Sequence, residues 1–103
     1  METKEEVKSI TIFGKRWFDR INGNTYFSSV GLVNNKEAVK IPYEYGYGDH
    51  YIDRTFQELE KAGFIDDVIH HENGSTEPFW RYCDRKNISK YTSVSDVSRK
   101  KDL

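Results

Sequence analysis

From Lys8 the chain alternates. Ile10 and Ile12 face one way and Thr11 and Phe13 the other, the two-residue period of a half-buried strand. Gly14 interrupts that run and predicts a bulge, after which Lys15 to Ile21 continue the strand. Asn22-Gly23-Asn24 then marks a hairpin turn, since Asn and Gly both accept positive φ. Tyr26, Ser28, Val30 and Leu32 alternate with Phe27, Ser29, Gly31 and Val33 as a second strand, and Asn34-Asn35 turns the chain again. Val39 and Ile41 open a third strand, which Pro42 limits to an edge or to its final residues.

The period changes after Asp49. Ile52, Phe56 and Leu59 share one helical face, flanked by Tyr51, Thr55 and Ala62, so a helix is predicted from His50 to Ala62. Asp49 is the expected N-cap, Arg54 and Glu58 the expected i,i+4 pair, and Gly63 the C′ glycine, with Phe64 packing back on Leu59. Asp66 to Pro78 reads as a polar loop in which Val68-Ile69 suits a short strand. Thr76-Glu77-Pro78 starts a second helix that Asn87 ends, and Ile88 to Val97 alternates weakly as a last strand. The order β-β-β-α-α-β predicts an α+β fold: a small antiparallel sheet, a three-stranded meander plus a fourth strand, with two helices on one face. Residues 1–103 are expected to form a single domain, with residues 1–7 and 98–103 as frayed tails.

Composition changes this picture in one respect. Only 36% of the 103 residues are apolar, yet 15% are aromatic, and each buried ring removes about 150–250 Å² from water. A thin core built on aromatics follows. The net charge of −1 hides a segregation: residues 1–43 carry seven basic and five acidic side chains, residues 44–77 two and nine, residues 78–103 seven and three. Such asymmetry suits a surface patterned for partners, and equally a solvated one. With one cysteine, no apolar run of signal-peptide length at the start and no 18-residue apolar stretch, the chain reads as a cytoplasmic protein.

Candidate chemistry is sparse. His50, His70, His71 and Cys83 match no metal-ligand spacing, so neither metal nor cofactor is expected. Cys83 lies among Phe79, Trp80 and Tyr82 and reads as a buried structural thiol, which leaves no catalytic residue to name and a non-enzymatic protein as the expectation. Two segments stand out. Lys15, Arg16, Trp17 and Arg20 interleave cations with an aromatic ring, the combination that a single-stranded nucleic acid or a nucleotide requires. A strand with Trp17 or Phe18 in the core explains the same residues. In the second segment, Tyr43, Glu44, Tyr45, Tyr47, Asp49 and Tyr51 surround Gly46 and Gly48, a composition suited to a partner-binding loop. Tyrosines covering a sheet edge explain it too.

The run from Ile12 to Tyr26, IFGKRWFDRINGNTY, followed by Pro42 to Asp49, PYEYGYGD, resembles a group of small uncharacterised proteins encoded by bacteriophages and prophages. The likeness covers residues 10–64 and touches Trp80 to Cys83. It implies context and no chemistry: an accessory protein that binds a host or defence-system protein, with anti-CRISPR proteins as one such class. The leading expectation is therefore an inhibitor of a bacterial defence nuclease complex, its tyrosine-glycine loop and acidic middle meeting a basic partner. The alternative is a nucleic-acid or nucleotide-binding module using Lys15, Arg16, Trp17 and Arg20, helped by Arg81, Arg85 and Lys86. A homodimer through exposed strand edges is the third.

Overall fold

The computed structural model describes residues 6–46 and 48–103. Along the chain come β1 (Ser9–Asp19), β2 (Asn24–Val33), β3 (Lys36–Tyr45), α1 (His50–Lys61), α2 (Phe79–Lys86), β4 (Ser89–Val97) and a 3-10 turn at Lys100–Asp102. This is the expected α+β plan. Both predicted turns form: Gly23 sits at φ 68° between β1 and β2, and Asn34 and Asn35, at φ 52° and 68°, join β2 to β3.

The strand order is β3-β2-β1-β4, and the first three strands are an antiparallel meander. β4 differs from expectation by running parallel to β1, with Ser89 opposite Ser9 and Val97 opposite Trp17, so the sheet is mixed. The helix layer is the reason. α1 begins beside Gly48, which accepts a hydrogen bond from Arg16 near the end of β1. It ends near Gly63 and Phe64, which border Val33 and Ala38 at the opposite end of the sheet. The chain is thus returned to where β1 starts, and a strand added there runs in the same direction as β1.

Gly14 carries no bulge, because the register runs unbroken through it on both sides. Its role is clearance. A Cβ there would lie 2.6 Å from Cδ2 of Tyr51, whose ring rests on the strand. Gly14→Ala is therefore expected to displace that ring and lower stability by about 1–3 kcal/mol in urea denaturation; an unchanged midpoint would show the ring free to move. The irregularities fall between β2 and β3, at Phe27/Ser29 and Gly31/Leu32.

One core joins the layers. Ile10, Ile12, Phe27, Val39 and Ile41 from the sheet meet Tyr51, Phe56 and Leu59 from α1 and Phe79, Tyr82 and Cys83 from α2. A buried polar pair lies within it. The Thr55 hydroxyl donates to the Tyr51 carbonyl at 2.6 Å, so the Ser29 hydroxyl, 2.6 Å away, donates to Thr55. Phe56 ties the two helices together through edge contacts with Phe79 and a tilted contact with Tyr82.

Helix ends follow the sequence at one end of α1 only. The C-terminus is the predicted Schellman turn: Gly63 at φ 85° donates to Glu60, and Phe64 donates to Leu59. At the N-terminus Asp49 occupies the cap position without a side-chain hydrogen bond. Its backbone (φ −93°, ψ 13°) is not the extended form that aims a side chain at the first turn. α2 starts directly after Pro78, which holds the N-cap position without a side-chain hydrogen bond, and ends where the sequence places its end, at Asn87, here in the left-handed region. Val68-Ile69 forms no strand. The loop instead closes through a bridge from His70 to Thr76 and buries Val68.

Residues 98–103, expected as a frayed tail, fold back over the sheet. Lys100 Nζ sits 4.8 Å from the centre of the Tyr43 ring, and Leu103 lies half-buried against the groove containing Phe13, Val30 and Lys40. The contacts that hold them are the Tyr43 ring face and a groove whose lining mixes apolar side chains with lysines and serines. Among the described residues, no helix is long and apolar enough to cross a membrane.

Candidate functional site

The two segments singled out by the sequence meet at one end of the sheet. Strand pairing aligns Tyr45, Tyr26, Trp17 and Val97 in a single row across all four strands, on the face opposite the helices. The adjacent row, Glu44, Phe27, Arg16 and Asp96, faces the helices. Gly46 donates to the Thr25 carbonyl and Arg16 donates to that of Gly48, so the start of the Tyr-Gly loop is tied to the β1–β2 hairpin.

On the open face the rings stack on each other. Trp17 and Tyr26 lie 5.9 Å apart at 25°, Tyr26 and Tyr43 5.0 Å apart at 14°, and Tyr45 meets Tyr26 edge-on. Lys100 covers the far face of Tyr43 by a cation–π contact. The inner faces of this ladder are occupied by neighbouring rings and do not offer platforms for bases.

The β1–β2 turn is built by Asp19. Its carboxylate accepts from the backbone N–H groups of Ile21 and Asn22 and, at 2.8 Å, from the Asn22 side chain. The Asn22 side-chain bond comes first among the causes that hold the Asp19 carboxyl below its ordinary range. Between this turn and the end of β4 lies a cavity of about 650 Å³. Trp17, Phe18, Ile21 and Val97 supply apolar walls, with Phe18 54% and Ile21 93% exposed. Arg16 and Arg20 bring two positive charges to its lining, and Asp19 and Asp96 two negative ones. Arg16 already pairs with Asp96 at 3.2 Å.

The residues named from the sequence are therefore divided. Of the nucleotide-binding set, Lys15 and Trp17 lie on the open face, Arg16 turns toward the helix side, and Arg20 stands in the turn; the cavity gathers Arg16, Trp17 and Arg20 without Lys15. Of the partner-binding set, Tyr43 and Tyr45 are exposed on the open face, Asp49 is exposed at the head of α1, and Tyr51 is a core residue at 3% exposure. Burial raises the Tyr51 phenol above its ordinary pKa. Tyr47 lies outside the described residues. Glu44 is bound to Arg54: the Nε donates to Oε1 at 3.1 Å, while Oε2 lies nearer at 2.9 Å but off the hydrogen-bond direction.

Glu44 illustrates what becomes of the acidic middle. Arg54 also pairs with Glu58, His70 with Glu60, Arg85 and Lys86 with Asp67, and Arg85 with Glu77. Among the described residues, Asp49, Asp53 and Glu72 make no ion pair, and the partner of Glu60 is the His70 ring, a cation only when protonated. Arg85 and Lys86 are thereby committed to the loop rather than to a phosphate, and Arg81 is exposed on α2.

Cys83 is fully buried, and burial pushes its thiol up to about 11, which removes nucleophilic character at neutral pH. His70 is engaged by Glu60 and Thr76, and the His50 ring packs edge-on to Phe27. Among the described residues no group of three or more His, Cys, Asp or Glu converges in a way that would hold a metal. Ile21, Tyr26 and Val97 are the site residues that sequence reasoning passed over, while Phe18 stood in the singled-out basic and aromatic segment without being named as a binding residue. Ile21 gave no signal, because an apolar residue directly before Asn-Gly reads as an ordinary strand end. Comparison with protein-family models, curated proteins and solved structures found no match.

Proposed function

We propose that this chain is a non-enzymatic, phage-type accessory protein that binds a host protein through the end of its sheet, in the cytoplasm of the bacterial host. The observation that carries the reading is the apolar cavity beside Ile21 and Phe18, built on a turn that Asp19 holds in shape. Exposed apolar side chains on a pre-organised turn favour binding, because little conformational freedom is lost on docking. The balanced charges of the cavity suit an apolar or aromatic anchor from a partner better than a polyphosphate. The resemblance to phage-encoded proteins suggests a defence nuclease complex as the partner and inhibition as the outcome. The paired acids shift the expected contact from the acidic middle to this apolar rim.

A tagged pull-down from nuclease-treated bacterial lysate tests the reading. The wild type is expected to retain a protein partner, and Ile21→Asp to weaken its capture about 30-fold, the size of a hot-spot loss. Ile21 is almost wholly exposed, so the substitution leaves the fold intact. Partners that disappear with nuclease, or that Ile21→Asp retains, would reject it.

A further inference from the structure

The two outer strands of the sheet are finished differently. β3 carries the usual protections of an edge: Pro42, two register irregularities against β2, and lysines at 36 and 40. β4 has no proline, pairs with β1 without a break over its whole length, and is exposed or half-exposed at every residue. Its outer backbone groups are identified by the alternation of a strand. Ser89 donates its N–H inward to Lys8, so the odd-numbered residues of β4 bond to β1. Lys90, Thr92, Val94 and Asp96 therefore aim their N–H and C=O groups away from the sheet.

Those four residues are self-complementary. When a second β4 is laid antiparallel with its two-fold axis at Ser93, Lys90 falls opposite Asp96 of the other copy and Thr92 opposite Val94. All four are outward-pointing positions, so each opposed pair is a hydrogen-bonded one, about eight backbone bonds in total. The Lys90–Asp96 opposition occurs twice, once on each side of the axis, as an isologous interface requires. Each charge has an intrachain partner on its own copy, Lys90 with Asp84 at 2.8 Å and Asp96 with Arg16. Pairing would join these into an alternating chain of charges on the helix face of the sheet.

We infer that the β4 edge is a homodimer interface, in which two copies pair antiparallel about Ser93 into one continuous eight-stranded sheet. An interface of one strand edge lies at the small end of the range for specific contacts, so the dimer is concentration-dependent. Sedimentation equilibrium over a hundredfold concentration range is expected to show the mass of wild type doubling. Lys90→Glu and Asp96→Lys should each remain monomeric, because each sets like charges opposite one another. An equimolar mixture of the two should dimerise, because its opposed charges are again opposite in sign. Thr92→Pro removes an outward N–H that β1 does not use, so it should give a folded monomer by circular dichroism. Ile21→Asp, at the hairpin turn, should dimerise like the wild type, which separates this edge from the protein-binding rim. A wild type monomeric throughout, a dimer that survives Thr92→Pro, or charge variants that fail to complement in the mixture would overturn the assignment.

Discussion

Phe56→Ala is expected to lower stability by about 3–5 kcal/mol, the cost of removing a large ring from a well-packed core. Phe56 is buried on α1 and meets both Phe79 and Tyr82, the rings by which α2 joins the core. Its loss opens a cavity between the helices that neither can close alone, because each is held against a different part of the sheet. A domain of this size holds about 5–15 kcal/mol in total, so the substitution consumes a large share. Thermal unfolding by circular dichroism should fall by on the order of 15 °C or more. A shift of only a few degrees would mean that α2 is attached by other contacts.

Glu77→Gln is expected to cost about 2 kcal/mol at neutral pH, the value of hydrogen bonds to a buried charged group. Glu77 is 3% exposed, and its two oxygens receive a fork from Arg85, each bond 2.8 Å. Arg85 also donates to the Asp67 carbonyl at 2.6 Å, so this one guanidinium closes the loop onto α2. Its hydrogen bonds come first among the causes that hold the Glu77 carboxyl below its ordinary value of 4.5. A carboxyl lowered in the folded state adds stability above its unfolded pKa and loses it as pH falls through the folded one. Glu58 and Asp67 are lowered by their own cationic partners and act in the same direction. Urea denaturation should therefore separate wild type and Glu77→Gln clearly at about pH 7 and less at an acidic pH below the ordinary carboxyl range, as the pH falls through the lowered value of folded Glu77. An equal gap at both pH values would show that the pair carries no net charge interaction.

The candidate site shows where reading a sequence succeeds and where it stops. The segments 15–20 and 43–51 stood out because cations, rings and glycines cluster in them, and the structure brings both to the same end of the sheet. Their membership was less legible. Alternation sends Lys15 and Arg16 to opposite faces, and Tyr51, alike in composition to Tyr43 and Tyr45, falls on the inner face of α1 and becomes core. Composition identifies a segment; the phase of each residue within it decides what it touches. Ile21 is the converse, an ordinary apolar residue that matters because its turn leaves it uncovered.

Local rules were enough for the β-β-β-α-α-β order, both positive-φ turns, the Schellman end of α1 and the Asn87 stop of α2. Each depends on interactions among residues a few positions apart. Tertiary structure decided the rest. The parallel course of β4 depends on where α1 returns the chain, and the regular strand at Gly14 on a ring reached through thirty-seven further residues. The acids of the middle segment met partners as distant as Arg85 and Lys86, which no window of the sequence places beside them. The net charge was fixed by composition, while the charge left open to a partner was set by the fold, because an ion pair depends on distance in space and not along the chain.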